Sequence, residues 1–419
     1  MLNGTPIAVE RLAQRIEARS ARVGVIGLGA VGGISARLIA ASGFSVIGVD
    51  RSEARLAQIR SLPEFQGIEL AADASALAEA DVVFVAVRVE SQDGRTDLAA
   101  ARAAFHSLRT HTRNVPLILF ESTVPPGTTR ALATEIFGAD SPQAALVAHC
   151  PERLRVGDDI QSMRATPRLI GALSETATAL GAAFLRQLGI TPVCASSPET
   201  TELSKLLENT FLTTGIALMG EVTRIAHRLG VSAQEVALAA ATKPHGYFAF
   251  RPGAGIGGHC LINDLQMLRA TAVDAGIDSP MLNGVQHAAE QLTGTVVRKL
   301  EDLLQSRDVR LEGAQVCIVG VGFKPDSPDV TNSAAIDLVR ALRTRGARVG
   351  YIDSLVDNFA VDGATLPRLG PDAAGSLQAL LLLGGDRATD IEALAARVPA
   401  TLDASGRRLL GGREHASVL

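Results

Sequence analysis

The sequence predicts an α/β protein with an N-terminal Rossmann domain, a central domain built on a long helix, and a C-terminal Rossmann-like domain. Three observations carry this expectation. Strand-length apolar runs alternate with helical spacing from Val23 onward. Residues 201–229 keep helical periodicity without a proline. An apolar run entering Gly-x-Gly occurs twice, as VGVIGLG (23–29) and VCIVGVG (316–322). At 419 residues the chain exceeds one ordinary core. We expect an N-terminal arm over 1–22, the Rossmann domain over 23–198, a central helical and dimerisation domain over 199–300, and the C-terminal Rossmann-like domain over 301–419.

In chain order, Val9–Ser20 reads as a short charged amphipathic helix. A buried strand from Val23, a glycine turn and a helix follow, then a strand over Ser45–Asp50. The continuous apolar run Asp81–Val87 is typical of a parallel sheet, and Leu117–Glu121, Ala145–His149 and Arg168–Gly171 read as further buried strands. The helix over Thr201–Leu229 would be roughly 40–45 Å long, a length suited to linking domains or forming a dimer interface. Gly230 is placed to end it. The third part then gives a helix near Ala334–Arg345, a strand over Ala347–Asp353 and a short strand over Leu377–Leu383.

Composition excludes several classes. Apolar residues at 47% and charged residues at 20% describe a globular chain rather than a disordered one. A net charge of -4 gives no electrostatic case for nucleic acid or an anionic membrane. The stretch 24–49 carries Arg37 and many glycines, so it is not read as a membrane span, and residues 1–22 lack the layout of a signal peptide. The four cysteines form no CxxC and no zinc spacing, so we expect reduced thiols, no metal and a cytoplasmic location.

Gly27, Gly29 and Gly32 form G-x-G-x-x-G between a strand and a helix, with Ala30 and Val31 inside the motif. The first glycine permits the tight turn, the second lets backbone approach a pyrophosphate, and the third lets helix pack on strand. Asp50, 18 residues after Gly32, is placed to bind the ribose hydroxyls and favours NAD over NADP, while Arg51 softens that preference.

Cys260 closes the loop Gly255-Ile-Gly-Gly-His-Cys260, and Asp264 follows four residues later. At a helix N-terminus the thiolate would be stabilised, and Asp264 would share its face. The alternative is a buried structural cysteine, against which the adjacent glycines argue for a close-approaching ligand. Lys205 and Asn209 are also four apart and could hold a developing alkoxide, or simply face solvent. Glu152, in Pro151-Glu152-Arg153, is either a general base or a surface carboxylate. Thr123 stands at a strand's carboxyl end, where open α/β sheets bind ligands.

Taken together, GLGAVG, ESTVPPGTT from Glu121, PERLRVG from Pro151, ELSKLLENTF from Glu202, PGAGIGGHC from Pro252 and GVGFKPD from Gly320 resemble the UDP-glucose/GDP-mannose dehydrogenase family across nearly the whole chain. The stretch from Ala241 through Phe250-Arg251-Pro-Gly is most similar to the branch acting on UDP-N-acetylhexosamines or UDP-glucose. The resemblance implies oxidation of a sugar 6-hydroxymethyl to a carboxylate with two NAD, while the long helix suggests a homodimer. It implies that Cys260 is the nucleophile, that Lys205 and Asn209 stabilise the oxyanion, and that Asp264 and Thr123 orient water and the reacting hydroxyl. Glu152 is implied in thioester hydrolysis. Lys324 is implied in contact with the nucleotide sugar, and Arg153, Phe250, Arg251 and Gly257 join it as expected substrate neighbours.

The sequence departs from the family at defined places. Arg88-Val89-Glu90 stands for Pro-Thr-Pro, and Ile262-Asn263-Asp264-Leu265 for Pro-Val-Asp-Pro. Thr331-Asn332-Ser333 stands for Arg-Glu-Ser, Arg251 for Tyr, and the stretch from Gly370 to Leu383 reads as lacking a helix. These changes leave the sugar and the nucleotide open. Three further readings stand beside the first: an unusual nucleotide or nucleoside substrate, a two-electron β-hydroxyacid-type dehydrogenase, and a non-catalytic paralogue.

Overall fold

The computed structural model describes residues 6–418 except 93, 114–115, 155–157, 258–259, 324–326, 332, 385–387, 407–408 and 411–415. It divides into two compact units, one running up to Glu208 and including Gln266–Ile277, the other comprising Asn209–Leu265 and the chain from Asp278 onward.

The first unit is an eight-stranded sheet. Its strands are β1 (Arg22–Ile26), β2 (Ser45–Val49), β3 (Glu69–Ala71), β4 (Val82–Val85), β5 (Leu117–Phe120), β6 (Val147–His149), β7 (Arg168–Ala172) and β8 (Pro192–Cys194), in the order β8-β7-β6-β5-β4-β1-β2-β3. From β3 to β6 every pairing is parallel, the doubly wound arrangement expected of alternating strands and helices. Among the described residues of this sheet, only β6 and β7 pair antiparallel. Alternate residues enter opposite cores: Val25, Phe84 and Leu119 pack on one face, and Val83, Val85 and Ile118 on the other. Two-sided burial explains why these strands read as unbroken apolar runs.

The amphipathic segment near the N-terminus is helix α1 (Pro6–Glu17), which buries Leu12 and Ile16 in the first of these cores. Arg15 on α1 pairs with Asp81 at the mouth of β4. The strand expected over Ala145–His149 begins only at Val147. Ser141 accepts a hydrogen bond from the Ala144 N–H at 3.0 Å, and Pro142 favours a first helical position, so Pro142–Ala145 is a helical turn instead.

Helix α2 (Ala30–Ala41) follows β1, and helix α3 (Glu175–Gln187) packs Phe184 against Phe44 at 4.9 Å between ring centroids. Helix α4 spans Pro198–Leu229, 32 residues, and ends at Gly230 with φ +70°, a conformation glycine adopts without strain. Helix α5 (Cys260–Asp274) starts at the cysteine singled out above.

The second unit holds helix α6 (Pro280–Gln305), helix α7 (Ala334–Thr344) and a five-stranded parallel sheet. Its strands are β9 (Gln315–Val319), β10 (Arg348–Ile352), β11 (Ala379–Leu382), β12 (Ala400–Asp403) and β13 (Ala416–Val418), ordered β10-β9-β11-β12-β13. Between Gly370 and Leu383, a stretch that reads as lacking a helix, Pro371–Ser376 form a 3-10 turn. Asp353, just beyond β10 and buried, accepts from the N–H groups of Val321 at 2.9 Å, Gly322 at 3.4 Å, Leu355 at 2.9 Å and Val356 at 3.1 Å. Cys317 lies within this unit's core, and burial pushes its thiol up to about 12. Among the described residues no helix is long and apolar enough to cross a membrane.

Candidate active site

The glycine turn is built by exclusion. Gly27 has φ +88°, and a Cβ there would stand 2.5 Å from the Ala86 carbonyl oxygen. A Cβ on Gly32 would lie 1.9 Å from the Gly27 oxygen, whereas one on Gly29 would meet nothing within 4 Å. The turn is therefore closed behind Gly27 and Gly32 and open above Gly29, leaving the space a dinucleotide pyrophosphate requires. Gly29 is the N-cap of α2 and supplies no side-chain cap, so the first-turn N–H groups, Ala30 and Val31 among them, suit an anion. Asp50 accepts from the Leu28 N–H at 2.8 Å and the Ser52 N–H at 2.9 Å, which fixes the carboxylate beside the turn. Arg51 is exposed next to it. These residues fit NAD.

Gly32→Ala tests this packing. The added methyl meets backbone rather than a movable side chain, so helix and strand must separate. We expect a stability loss of about 1–3 kcal/mol. NAD affinity, measured by calorimetry, should fall at least about tenfold, equivalent to some 1.4 kcal/mol. Unchanged NAD binding would mean that the turn does not depend on this contact.

Three of the chemical candidates lie in the first unit. Thr123 follows β5 and is half-buried, as is Glu152 after β6. Lys205 is buried on α4, which removes the solvent-face alternative for it. Glu152 accepts from the Leu154 N–H, and Arg153 forms an ion pair with Glu208 at 2.7 Å.

Beneath these residues runs a buried polar layer that sequence reasoning missed. Glu121 is fully buried, forms an ion pair with Arg168, and accepts from the Ser35 hydroxyl of α2 at 3.0 Å. Burial pushes Glu121 up to about 7, although Arg168 and Ser35 pull the other way. Arg168 also donates to the Pro151 carbonyl at 3.2 Å, immediately before Glu152. Glu202 on α4 accepts from the N–H groups of Gly127 at 2.6 Å and Thr129 at 2.8 Å, tying the segment after Thr123 to the long helix. The only signal in the sequence was an ionisable residue inside or beside an apolar run. Cys150, also here, is a structural thiol pushed up to about 12 by burial.

The second unit gathers the remaining candidates. Cys260 is exposed at the first residue of α5. One turn on, Asp264 is buried and accepts from the Asn209 amide at 2.5 Å. Asn209 is buried as well, so this residue too is turned away from solvent. Thr213 donates to the Leu261 carbonyl at 3.2 Å and fastens the start of α5 to α4. A Cβ on Gly257 would stand 3.0 Å from the Phe323 oxygen, and one on Gly255 would stand 3.0 Å from Ala334 Cβ. A side chain at Gly257 would therefore crowd the Phe323 backbone. Phe250 lies over Gly215, where a Cβ would be 2.0 Å from its ring. Phe248 flanks it at 5.1 Å, while Arg251 is exposed. Lys324 and His259 lie outside the described residues.

A dinucleotide turn heading a doubly wound sheet, with a buried lysine and carboxylates in the same unit, marks an NAD-dependent dehydrogenase. Three descriptions of one family match successive parts of the chain. The NAD binding domain of the UDP-glucose/GDP-mannose dehydrogenase family matches residues 64–188, its central domain 199–291 and its UDP binding domain 317–395. The chain belongs to the UDP-glucose/GDP-mannose dehydrogenase family and is an NAD-dependent nucleotide-sugar dehydrogenase.

Among its relatives is the UDP-N-acetyl-D-mannosamine dehydrogenase of Pyrococcus horikoshii, 28% identical over 80% of this chain and 84% of that protein. Another is the UDP-glucose 6-dehydrogenase of Bacillus subtilis, 27% identical over 80% of this chain and 76% of that protein. A solved structure of UDP-D-ManNAc dehydrogenase from Pyrococcus horikoshii shares the fold, with TM-score 0.85, 23% identity and coverage of 95% of this chain and 98% of that one. A UDP-glucose dehydrogenase structure from Pyrobaculum islandicum gives TM-score 0.80 at 25% identity, covering 95% of this chain and 96% of that one.

Proposed function

We propose that this protein oxidises the 6-hydroxymethyl group of a UDP-linked hexose or N-acetylhexosamine to a carboxylate, holding the intermediate on Cys260. The observation that carries this reading is Cys260 at the exposed head of α5, one turn before the buried Asp264–Asn209 pair. A side chain with only a packing role has no need of that exposure, and a helix N-terminus lowers the cost of a thiolate.

Bound NAD supplies the hydride acceptor for both oxidations. The net change converts RCH2OH, two NAD+ and water into RCOO−, two NADH and three protons. Thr123 and Lys205 position the hydroxyl and stabilise the alkoxide formed as its proton leaves. The Cys260 thiolate then adds to the aldehyde carbon, and Lys205 and Asn209 stabilise the resulting oxyanion. Oxidation of that adduct leaves a thioester. Water oriented by Asp264 and Glu152 cleaves its C–S bond, returning the thiolate. Lys324, with Arg153, Phe250, Arg251 and Gly257, is the set we assign to substrate recognition.

The test is a panel of UDP-N-acetylhexosamines, UDP-glucose and GDP-mannose, with NADH counted per sugar consumed. Two NADH with an acid product supports the reading. One NADH with an aldehyde product would replace it with a two-electron dehydrogenase.

We also propose a homodimer through α4. Phe211, Leu218, Ile225 and Leu229 are all exposed on this helix at separations of seven, seven and four residues, which form one apolar stripe. Leu218→Glu with Ile225→Glu is expected to halve the mass seen by light scattering. A wild-type protein that is already monomeric would remove this interface.

A further inference from the structure

Strand β6 ends at His149, whose ring is wholly buried. Its Nδ1 lies 2.8 Å from Thr201 Oγ1, and its Nε2 lies 3.2 Å from the Ser122 carbonyl oxygen. A carbonyl can only accept, so Nε2 carries a hydrogen. Burial holds the ring's pKa at about 3, with Lys205 and Arg168 adding to the effect, so the imidazole is neutral. Nδ1 then shares the single Thr201 hydroxyl hydrogen with the Pro198 carbonyl, which lies 2.8 Å from Thr201 Oγ1.

Both ends of this bridge reach candidate catalytic groups. Ser122 is gripped a second time, its hydroxyl donating to the Val87 carbonyl at 2.7 Å, and the next residue is Thr123. Thr201 stands one turn before Lys205 on α4. A neutral imidazole suits the place chemically. It donates on one side and accepts on the other across a fixed span, and it adds no charge beside the Lys205 ammonium. An apolar ring would leave the Ser122 carbonyl without this donor.

We propose that His149 is a positioning residue that sets Thr123 in register with Lys205 by bridging the Ser122 carbonyl to the Thr201 hydroxyl. The inference rests on the reading of Thr123 and Lys205 as catalytic groups.

Thr201→Val removes the hydroxyl at nearly constant volume, and His149→Phe removes both polar contacts. With the sugar that the wild type oxidises, each variant is expected to lose about 10- to 100-fold in kcat through misplacement of a reacting group. KM for sugar and for NAD should stay within about twofold, because binding is not what the bridge serves. Combining His149→Phe with Thr123→Ala should cost no more kcat than Thr123→Ala alone. An unchanged kcat in Thr201→Val, or additive losses in the double variant, would overturn the proposal. If His149→Phe fails to fold, Thr201→Val decides by the same measurements. A wild type that oxidises no nucleotide sugar would instead sink the reading of the site, and this inference with it.

Discussion

Cys260→Ala is expected to abolish formation of the sugar acid, with a fall in kcat of about 10³-fold or more, as for loss of an essential nucleophile. The first oxidation needs no thiol, so the variant should release at most one NADH per sugar, with free aldehyde trapped by hydroxylamine. The fold should survive, because Cys260 is exposed and alanine is a good helix former. Unchanged thermal unfolding alongside lost acid production would place the effect in the chemistry. Retained acid production would remove the covalent intermediate from the mechanism, leaving the aldehyde to be oxidised as its hydrate.

Arg168→Met carries the largest expected stability loss. It strips the cation from a fully buried carboxylate and takes a donor from the Pro151 carbonyl. Breaking such a pair from one side costs about 3–5 kcal/mol. The pH dependence has a defined sign. Glu121 sits at about 7 in the folded protein, above its ordinary 4.5, so its contribution is fully present below 4.5 and is lost as pH rises through about 7. Without Arg168 its carboxyl is pushed higher still. The deficit of the variant, read from urea midpoints, should therefore be larger at pH 8 than at pH 5. Adding Glu121→Gln should recover part of the loss at pH 8. Equal deficits at both pH values would show that the damage is loss of packing rather than an unpaired buried charge.

What could be read from the sequence was local. The glycine turn with Asp50, the helix over 201–229 and the two α/β patterns each arise from spacing within one element, where periodicity reports burial directly. The pair of Cys260 and Asp264 was visible for the same reason, since four residues is one helical turn. Glu121 and Arg168 are separated by 47 residues, and nothing in either neighbourhood marks the other. His149 reads as the end of an apolar run; only the sheet order brings it between Ser122 and Thr201. The helical turn at Pro142–Ala145 was masked by alanines, which suit a buried strand and a helix alike.

The two acids that follow second strands now have a consequence for timing. Asp50 holds two N–H groups and stays half-buried beside an open turn, whereas Asp353 is buried under four. The second carboxylate is spent on its own loop and has little left to offer a ribose. On the proposed reaction, both hydride acceptors would then be served by the one turn at Gly27–Gly32, in succession. The spent carrier must leave and a fresh one arrive while the sugar is half converted. A freely diffusing aldehyde would be lost during that exchange. Attachment to Cys260 makes the wait safe, so the changeover between carriers costs the enzyme time but no aldehyde.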